Sequence, residues 1–284
     1  MSAPAGTLYL VATPIGNLED MTLRAIRVLR EVAVVACEDT RRTRGLLAHL
    51  DIHTPFVSLH EHNEAARIPE ILGMLREGKS VAVTSDAGTP AVSDPGAALV
   101  AAASSAGFRV EPIPGPSAVT AAVSVAGFPA GTFAFVGFPP RRRSQRVRFL
   151  SALSALPVAV VMFEAPHRVR DTLADLQTVF AGRRMLLARE LTKIHEEILR
   201  GTPAEVSASL AETPRGEVTL VIEGASEPPA ADAGAKTAVP RLAPKAFVSR
   251  LLVEGLSRRD AARALAAAYG IPSREAYRLA VEES

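Results

Sequence analysis

The chain reads as an α/β protein of two units with a small helical tail. Three observations carry this expectation. Short apolar runs bounded by Gly, Pro or Asp alternate with longer stretches whose apolar residues recur at helical spacing. Most of the apolar runs are followed at once by segments dense in Gly, Asp, Glu, His or Arg, the residues expected where strands end at a ligand crevice. A Pro-, Ala- and Gly-rich stretch without periodicity, 225–244, then interrupts the pattern, and only helical stretches follow it.

Residues 8–12, LYLVA, form the first expected strand. A helix over 19–32 follows, with Leu23, Ile26 and Leu29 at helical spacing and Asp20 or Thr22 as its cap. AVVAC at 33–37 is a second buried strand, and a short helix spans about 41–50. FVSL at 56–59 is the third strand. The helix over 63–78 carries Pro69 in or near its first turns and stops at Gly78. SVAVTS at 80–85, a small-residue helix over 97–107 and FRVEPI at 108–113 complete the set. Five strands alternating with helices predict a parallel or mostly parallel sheet covered on both faces.

The second unit opens with GPSAVTAAVSVAG at 115–127. TFAFVGF (132–138), an Arg-rich segment, VAVVMFEA (158–165), a helix over 167–182 and RMLLARELT (184–192) follow. HEEILRGT (195–202), a helix over 203–212 and EVTLVIEG (217–224) end it. Strands succeed one another without a full helix over 184–202, which predicts a mixed sheet. The expected boundaries are 1–114 and 115–225 for the two α/β domains, 226–243 for a linker and 244–284 for a small helical domain. In that domain Ser257 and Ser273 read as N-caps, and Gly255 and Gly270 as stops. The YGIPSR turn leaves two roles open, a helix-turn-helix-like appendage or a packing or dimer-stabilising element.

With 284 residues, 48% of them hydrophobic, the chain has ample material for two cores. Basic and acidic residues nearly cancel, 32 against 30, so total charge does not mark a nucleic-acid binder. The arginines are nevertheless clustered, at 41–44, 140–148 and 257–263, and local patches matter more for phosphate than the total. The alternative for each cluster is a solvated helix face. Cys37 is the single cysteine, which excludes a disulfide framework and a Cys-based zinc site. No signal-peptide pattern and no membrane-length apolar run is present, so the expected setting is cytoplasmic, without a membrane.

After the five strands come TPIGN (13–17), EDTRRTR (38–44), HEHNE (60–64), SDAGTPAVSDPG (85–96) and PGPSA (114–118). Turn formation alone needs Gly and Pro but not Asp, Glu, His and Arg in loop after loop, so a binding crevice is expected here. DAG and PGPSA leave backbone N–H and C=O groups bare for a ligand. Asp86 and Asp94 would repel a pyrophosphate and suit a cationic or hydroxyl-bearing ligand, such as a sulfonium or a ribose. A second role is open to Asp94, as the cap of the helix that begins after Pro95.

These segments, together with FVGFPP, FEAPHRV, ARELTKIHEE and GEVTLVIEG in the same order, resemble the tetrapyrrole-methylase-like class III family of S-adenosylmethionine-dependent methyltransferases. Within that family they are similar to the branch acting on small-subunit ribosomal RNA, over roughly residues 6–225. The porphyrinoid enzymes carry a glycine-rich loop after the first strand where this chain has ATPIGN, and that departure points to the RNA branch. The resemblance implies two α/β domains of the tetrapyrrole methylase type with the donor in the cleft between them, and a homodimer. It implies S-adenosyl-L-methionine as cofactor, 16S rRNA within the small ribosomal subunit as partner, and 2′-O-methylation of a decoding-centre cytidine (C1402 in the family). It places Pro14, Asp86, Ala87, Gly88, Val92, Ser93, Ser117, Ala118, Ala165, Val218 and Thr219 in the donor cleft. The competing expectations are a tetrapyrrole or protein side-chain methyltransferase of the same fold, and a non-catalytic ribosome-binding factor.

A ribose hydroxyl is a weak nucleophile and gains from a proton acceptor or from nearby cations. The strand ends offer Glu38, Asp39, His60, Glu61 and Lys193 as candidates, with Arg41 to orient a phosphate or an acidic partner. Structural roles compete: Asp39 as a helix cap, and Glu61 as a partner of Arg41. No metal site is expected, since the spacing of His60, Glu61, His62 and Glu64 is not that of a zinc ligand set. Arg141, Arg142, Arg143, Arg146 and Arg148, expected in a mobile loop near the cleft, are the candidate RNA contacts, because guanidinium groups pair with phosphates and stack on bases.

Overall fold

The computed structural model describes residues 5–225, Val248, Arg258, Ala262, Leu265 and 273–281. The chain divides into two compact units, Met1–Glu227 and Pro228–Ser284, each taken by itself.

In the larger unit five strands, β1 (Thr7–Val11), β2 (Val34–Cys37), β3 (Phe56–Ser58), β4 (Val81–Thr84) and β5 (Arg109–Ile113), form one sheet in the order β3-β2-β4-β1-β5. Every pairing is parallel. Helices α1 (Leu23–Glu31) and α2 (Thr40–His49) supply Ala25, Val28, Leu29 and Leu47 to one core. Helices α3 (Glu64–Arg76) and α4 (Ala97–Ser105) supply Ile71, Leu75, Leu99 and Ala103 to another. Along β2 the side chains alternate: Val35 and Cys37 join the first core, Val34 and Ala36 the second. A strand covered on both faces must be apolar at every position, which is why VVAC and VAVT read as unbroken runs. Burying a leucine such as Leu29 or Leu75 contributes roughly 1.5–3 kcal/mol. Pro112 is tolerated in β5 because that strand lies at the sheet's edge.

Thr22, rather than Asp20, caps α1, its side chain accepting the Ala25 N–H. Pro69 lies in the second turn of α3, among the first turns as expected.

The second sheet comprises β6 (Phe133–Phe135), β7 (Ala159–Glu164), β8 (Met185–Arg189), β9 (Glu197–Gly201) and β10 (Val218–Ile222), in the order β6-β7-β10-β8-β9. Only β6 and β7 run parallel, and the remaining neighbours are antiparallel, so the sheet is mixed. Helix α5 (Ala118–Ser124) covers one face with Val119 and Ala122. Helices α6 (Arg143–Leu153), α7 (Val169–Val179) and α8 (Pro203–Ser209) cover the other through Leu150, Leu173, Leu176 and Val206.

The arginine segment is not a loop along its length. Arg143 onward is α6, and Arg146 turns inward, 3% exposed, with Nε 2.8 Å from Asp175 Oδ2. Arg146 is therefore a structural residue of the core rather than an RNA contact. A buried carboxylate on α7 demands a buried cation, and Arg146 meets it. Arg143 also reaches Asp175, at 3.0 Å, while remaining largely exposed. Arg141, Arg142 and Arg148 are exposed.

Of the smaller unit, helix α9 (Ser273–Val281) is described, beginning on Ser273 itself and burying Ala276 and Ala280. The expected linker and the expected roles of Ser257, Gly255 and Gly270 lie outside the described residues. Among the described residues no helix is long and apolar enough to cross a membrane.

Candidate functional site

Both sheets turn strand ends toward one cavity of about 350 Å³. On the first sheet it is reached from the ends of β1, β2, β4 and β5. The β1 and β4 exits are stitched together by a two-way pairing, Thr13 N to Gly88 O at 2.9 Å and Gly88 N to Thr13 O at 3.0 Å. Thr13 Oγ1 also donates to the Ser85 carbonyl. The loop from Ser85 to Gly96 lines the cavity with Asp86, Ala87, Gly88, Thr89, Val92, Ser93 and Asp94. Its backbone is bent hard: Ala91 and Ser93 have φ of 64° and 63°. A left-handed conformation costs a non-glycine residue about 1–2 kcal/mol, and here it turns Val92 and Asp94 to the cavity.

The expectation that Asp94 caps α4 is corrected. The α4 N-terminus begins at Gly96, and its Gly96 and Leu99 N–H groups donate to Glu64 Oε1, which arrives from the first turn of α3. Glu64 brings its carboxyl group to the helix's positive end, so Asp94 is left to the cavity.

Carboxylates dominate this wall. Glu38, at the end of β2, lines the cavity beside Asp86 and Asp94. Asp86 is tied locally: Oδ1 accepts the Asp39 N–H at 3.0 Å, and Oδ2 lies 3.5 Å from Arg42 Nε. Burial, then the nearby Glu38 charge, pushes the Asp94 carboxyl up to about 6, with a hydrogen bond from Ser85 partly opposing this. Burial, then Asp86, raises Glu38 as well.

The second sheet contributes Phe163, Glu164 and Ala165 from the β7 end, Gly216 to Thr219 at the β10 start, and Phe138 beyond β6. Antiparallel pairing sets Val218 opposite Glu164 and Thr219 opposite Phe163, which is why two distant motifs meet here. Glu164 is buried and fully engaged, accepting from Ala165 N at 2.8 Å and Thr172 Oγ1 at 2.5 Å and pairing with Arg168. Arg168 in turn donates to the Pro139 carbonyl at 2.6 Å, holding the segment that presents Phe138, 53% exposed, beside Phe163.

The turn between β8 and β9 packs on the TPIGN loop. Thr192 Oγ1 accepts the Asn17 N–H at 3.0 Å. A side chain at Gly16 would meet Lys193 Cγ at 2.4 Å and Leu191 O at 2.8 Å, so only glycine permits the approach. Lys193 Nζ bonds Glu190 at 2.7 Å and Glu217 at 3.1 Å, standing behind the cavity wall rather than in it.

Of the residues expected in the donor cleft, Asp86, Ala87, Gly88, Val92, Ser93, Ser117, Ala118, Ala165, Val218 and Thr219 line the cavity, and Ile15 does so in place of Pro14. Of the proton-acceptor candidates only Glu38 lines it. Asp39 caps α2 by accepting the Arg41 N–H, and the Arg41 guanidinium, its strongest neighbour, holds its carboxyl down at about 2. Arg41 thus pairs with Asp39 and not with Glu61. His60 and Glu61 do not line the cavity, and the His60 backbone N–H is taken by Asn63. Among the described residues no group of three or more His, Cys, Asp or Glu is placed to hold a metal ion. Sequence reasoning missed Arg42, Phe138, Glu164 and Glu217. Each lies within a segment already singled out, Arg42 by the strand-end pattern and Phe138, Glu164 and Glu217 by the motifs that carry the resemblance.

The profile of the family described as Tetrapyrrole (Corrin/Porphyrin) Methylases matches residues 7–207. The chain is 42% identical over 279 residues to "Ribosomal RNA small subunit methyltransferase I" of Halalkalibacterium halodurans, covering 98% of this chain and 96% of that protein. A protein of the same name from Xylella fastidiosa is 43% identical, covering 98% and 99%. The Thermotoga maritima protein of that name is 47% identical over 220 residues, 77% of this chain and 99% of that protein. Among solved structures, the methyltransferase CobJ superposes with a TM-score of 0.60 at 20% identity, over 78% of this chain and 95% of that one. Uroporphyrin-III C-methyltransferase from Thermus thermophilus, complexed with S-adenyl homocysteine, superposes with a TM-score of 0.55 at 22% identity, over 76% and 97%. Two strand-end walls around one cavity, a family profile over most of the chain and end-to-end relatives agree: the chain belongs to the tetrapyrrole methylase family and, within it, to the ribosomal RNA small subunit methyltransferase I proteins.

Proposed function

We propose that the chain transfers a methyl group from S-adenosyl-L-methionine to the 2′-hydroxyl of a cytidine ribose in the decoding centre of 16S rRNA. The observation that carries this reading is an acid-lined, small-residue cavity in a chain whose end-to-end relatives bear an rRNA methyltransferase name.

The residues present fit such a donor. Ala87, Ser117 and Ala118, with side chains of one or two heavy atoms, leave main-chain groups within a ligand's reach, and Gly88 and Ala165 add no bulk to the wall. Phe138, Phe163 and Val92 supply apolar surface for a flat base. Glu38, Asp86, Asp94 and Glu217 give the wall a negative field that favours a cation. When bound, S-adenosylmethionine supplies a methyl group on a positively charged sulfur.

Methyl transfer is an in-line displacement, so positioning supplies much of the rate. Glu38, raised by burial and facing the cavity, takes the proton of the attacking hydroxyl. Arg42 is the cation on this wall and is set to hold an RNA phosphate at the cleft mouth. Lys193 keeps Glu217 in place. Exposed Arg141, Arg142 and Arg148 extend the phosphate-binding surface from the β6 side. The assembled small subunit as substrate, a homodimeric state and a cytoplasmic setting rest on the family resemblance.

Incubating unmodified small subunits with methyl-labelled donor, then mapping the label, tests the reading. A 2′-O-methyl group blocks alkaline cleavage of the adjoining phosphodiester, so the label is expected in an alkali-resistant dinucleotide containing one 16S cytidine. Label on a base, or none in RNA, overturns it.

A further inference from the structure

Asp94 is the cavity carboxylate without a structural task. Glu64 has taken its expected place at the α4 terminus. Asp86, by contrast, holds the Asp39 N–H and Arg42, and Glu217 holds Lys193. Among the described residues no cation pairs with Asp94. The groups that face it are Glu38 from the β2 end, Asp86 from its own loop and Glu217 from the β10 start, with the Ser85 hydroxyl as its hydrogen-bond donor. The cations nearby, Arg42 and Lys193, lie against Asp86 and against Glu190 and Glu217 rather than against Asp94. Negative charge on this wall therefore exceeds positive. The backbone holds Asp94 there through two left-handed residues, Ala91 and Ser93, a strain that persists only where the surroundings enforce it.

The methyl donor and the product it leaves, S-adenosylhomocysteine, share every hydrogen-bonding group. They differ by one methyl and one positive charge. Contacts to the base, the ribose and the amino acid cannot tell them apart, whereas a carboxylate without a counter-ion can. We propose that Asp94 is the residue by which the cavity prefers the cationic donor to its neutral thioether product. This rests on the donor reading above. Loss of the sulfonium charge on methyl transfer then removes the attraction, so the same residue that draws in the donor favours release of the product.

Donor preference follows the ionisation of Asp94. That carboxyl titrates at about 6, raised first by burial and then by Glu38. Acidification through this range removes the charge that the sulfonium meets.

Calorimetry on the full chain with S-adenosylmethionine and with S-adenosylhomocysteine tests this. Between about pH 7 and about pH 5 wild type is expected to lose about tenfold in donor affinity, with product affinity unchanged. At about pH 7, Asp94→Asn is expected to bind the donor about tenfold more weakly and the product as wild type does. A parallel loss of both ligands, in the pH series or in the variant, overturns the proposal and assigns Asp94 to a shared ribose or amine contact. No change in either ligand also overturns it. Glu38 faces the same cavity with its carboxyl also raised, so the pH series is repeated on Glu38→Gln. A donor-selective loss that persists there keeps the assignment to Asp94 even where Asp94→Asn fails to fold, and its disappearance overturns it. Silence of both ligands on wild type at neutral pH refutes the donor reading itself, a result distinct from product binding without donor preference.

Discussion

Asp94 also weighs on the fold, and the sign follows from linkage. Its carboxyl ionises at about 6 in the native state against 3.8 in the reference. Between these values the native chain holds more protons than the unfolded one, so stability falls as pH rises from about 4 to about 6 and stays lower above. The full shift corresponds to roughly 3 kcal/mol, and about 1–2 kcal/mol once the half-exposure of the group is allowed for. Asp94→Asn is thus expected to be more stable than wild type by about 1–2 kcal/mol at about pH 8, and equal to it at about pH 3.5. Urea unfolding at the two pH values reads this directly, and a variant less stable than wild type at the higher pH contradicts it. Asp94 itself was legible in the sequence as a loop acid ahead of a helix. Its freedom from capping was not, because the residue that displaces it, Glu64, comes from another helix.

The elements themselves were largely readable. The unbroken apolar runs VVAC and VAVT are the central strands β2 and β4, and the alternation of strand and helix is the parallel sheet. Helix α6 is where element-level reading failed. Five arginines within nine residues look like one basic surface, yet the helix period turns Arg146 inward to Asp175, a partner 29 residues away on α7. No local pattern announces a partner at that distance. The same pair shapes the surface beside it, since Arg146 Nη1 also donates to the Arg141 carbonyl at 3.3 Å. Arg146→Ala is expected to cost up to about 3–5 kcal/mol by leaving the buried Asp175 with the largely exposed Arg143 as its remaining cation. Replacing Arg141 and Arg142 together by Ala is expected to change stability by less than about 0.5 kcal/mol. That double variant should weaken methylation of small subunits at low substrate while leaving donor affinity intact. Thermal melts and methylation rates separate the two outcomes; full methylation by the double variant removes those arginines from the RNA surface.

At the scale of the molecule, both sheets and the cavity they line lie within Met1–Glu227. The Thermotoga maritima relative is matched over 99% of its length by 77% of this chain. A chain ending at Glu227 is therefore expected to unfold in one cooperative transition and to bind S-adenosylmethionine as the full chain does. Calorimetric melting and titration check it, and loss of donor binding would place part of the site beyond that residue. The resemblance of the motifs supplied ten of the residues that line the cavity; the sequence by itself determined the α/β class and the strand-end loops that carry polar chemistry. It could do so because backbone periodicity and turn chemistry are local. Only the tertiary structure decided which polar groups serve the cavity and which serve the fold. It set Glu64 on α4, Arg146 on Asp175, and Val218 and Thr219 against Glu164 and Phe163. It thereby left Asp94 facing the cavity, because a side chain's partner is fixed by what the folded chain brings within hydrogen-bond reach, and that reach crosses elements far apart in sequence.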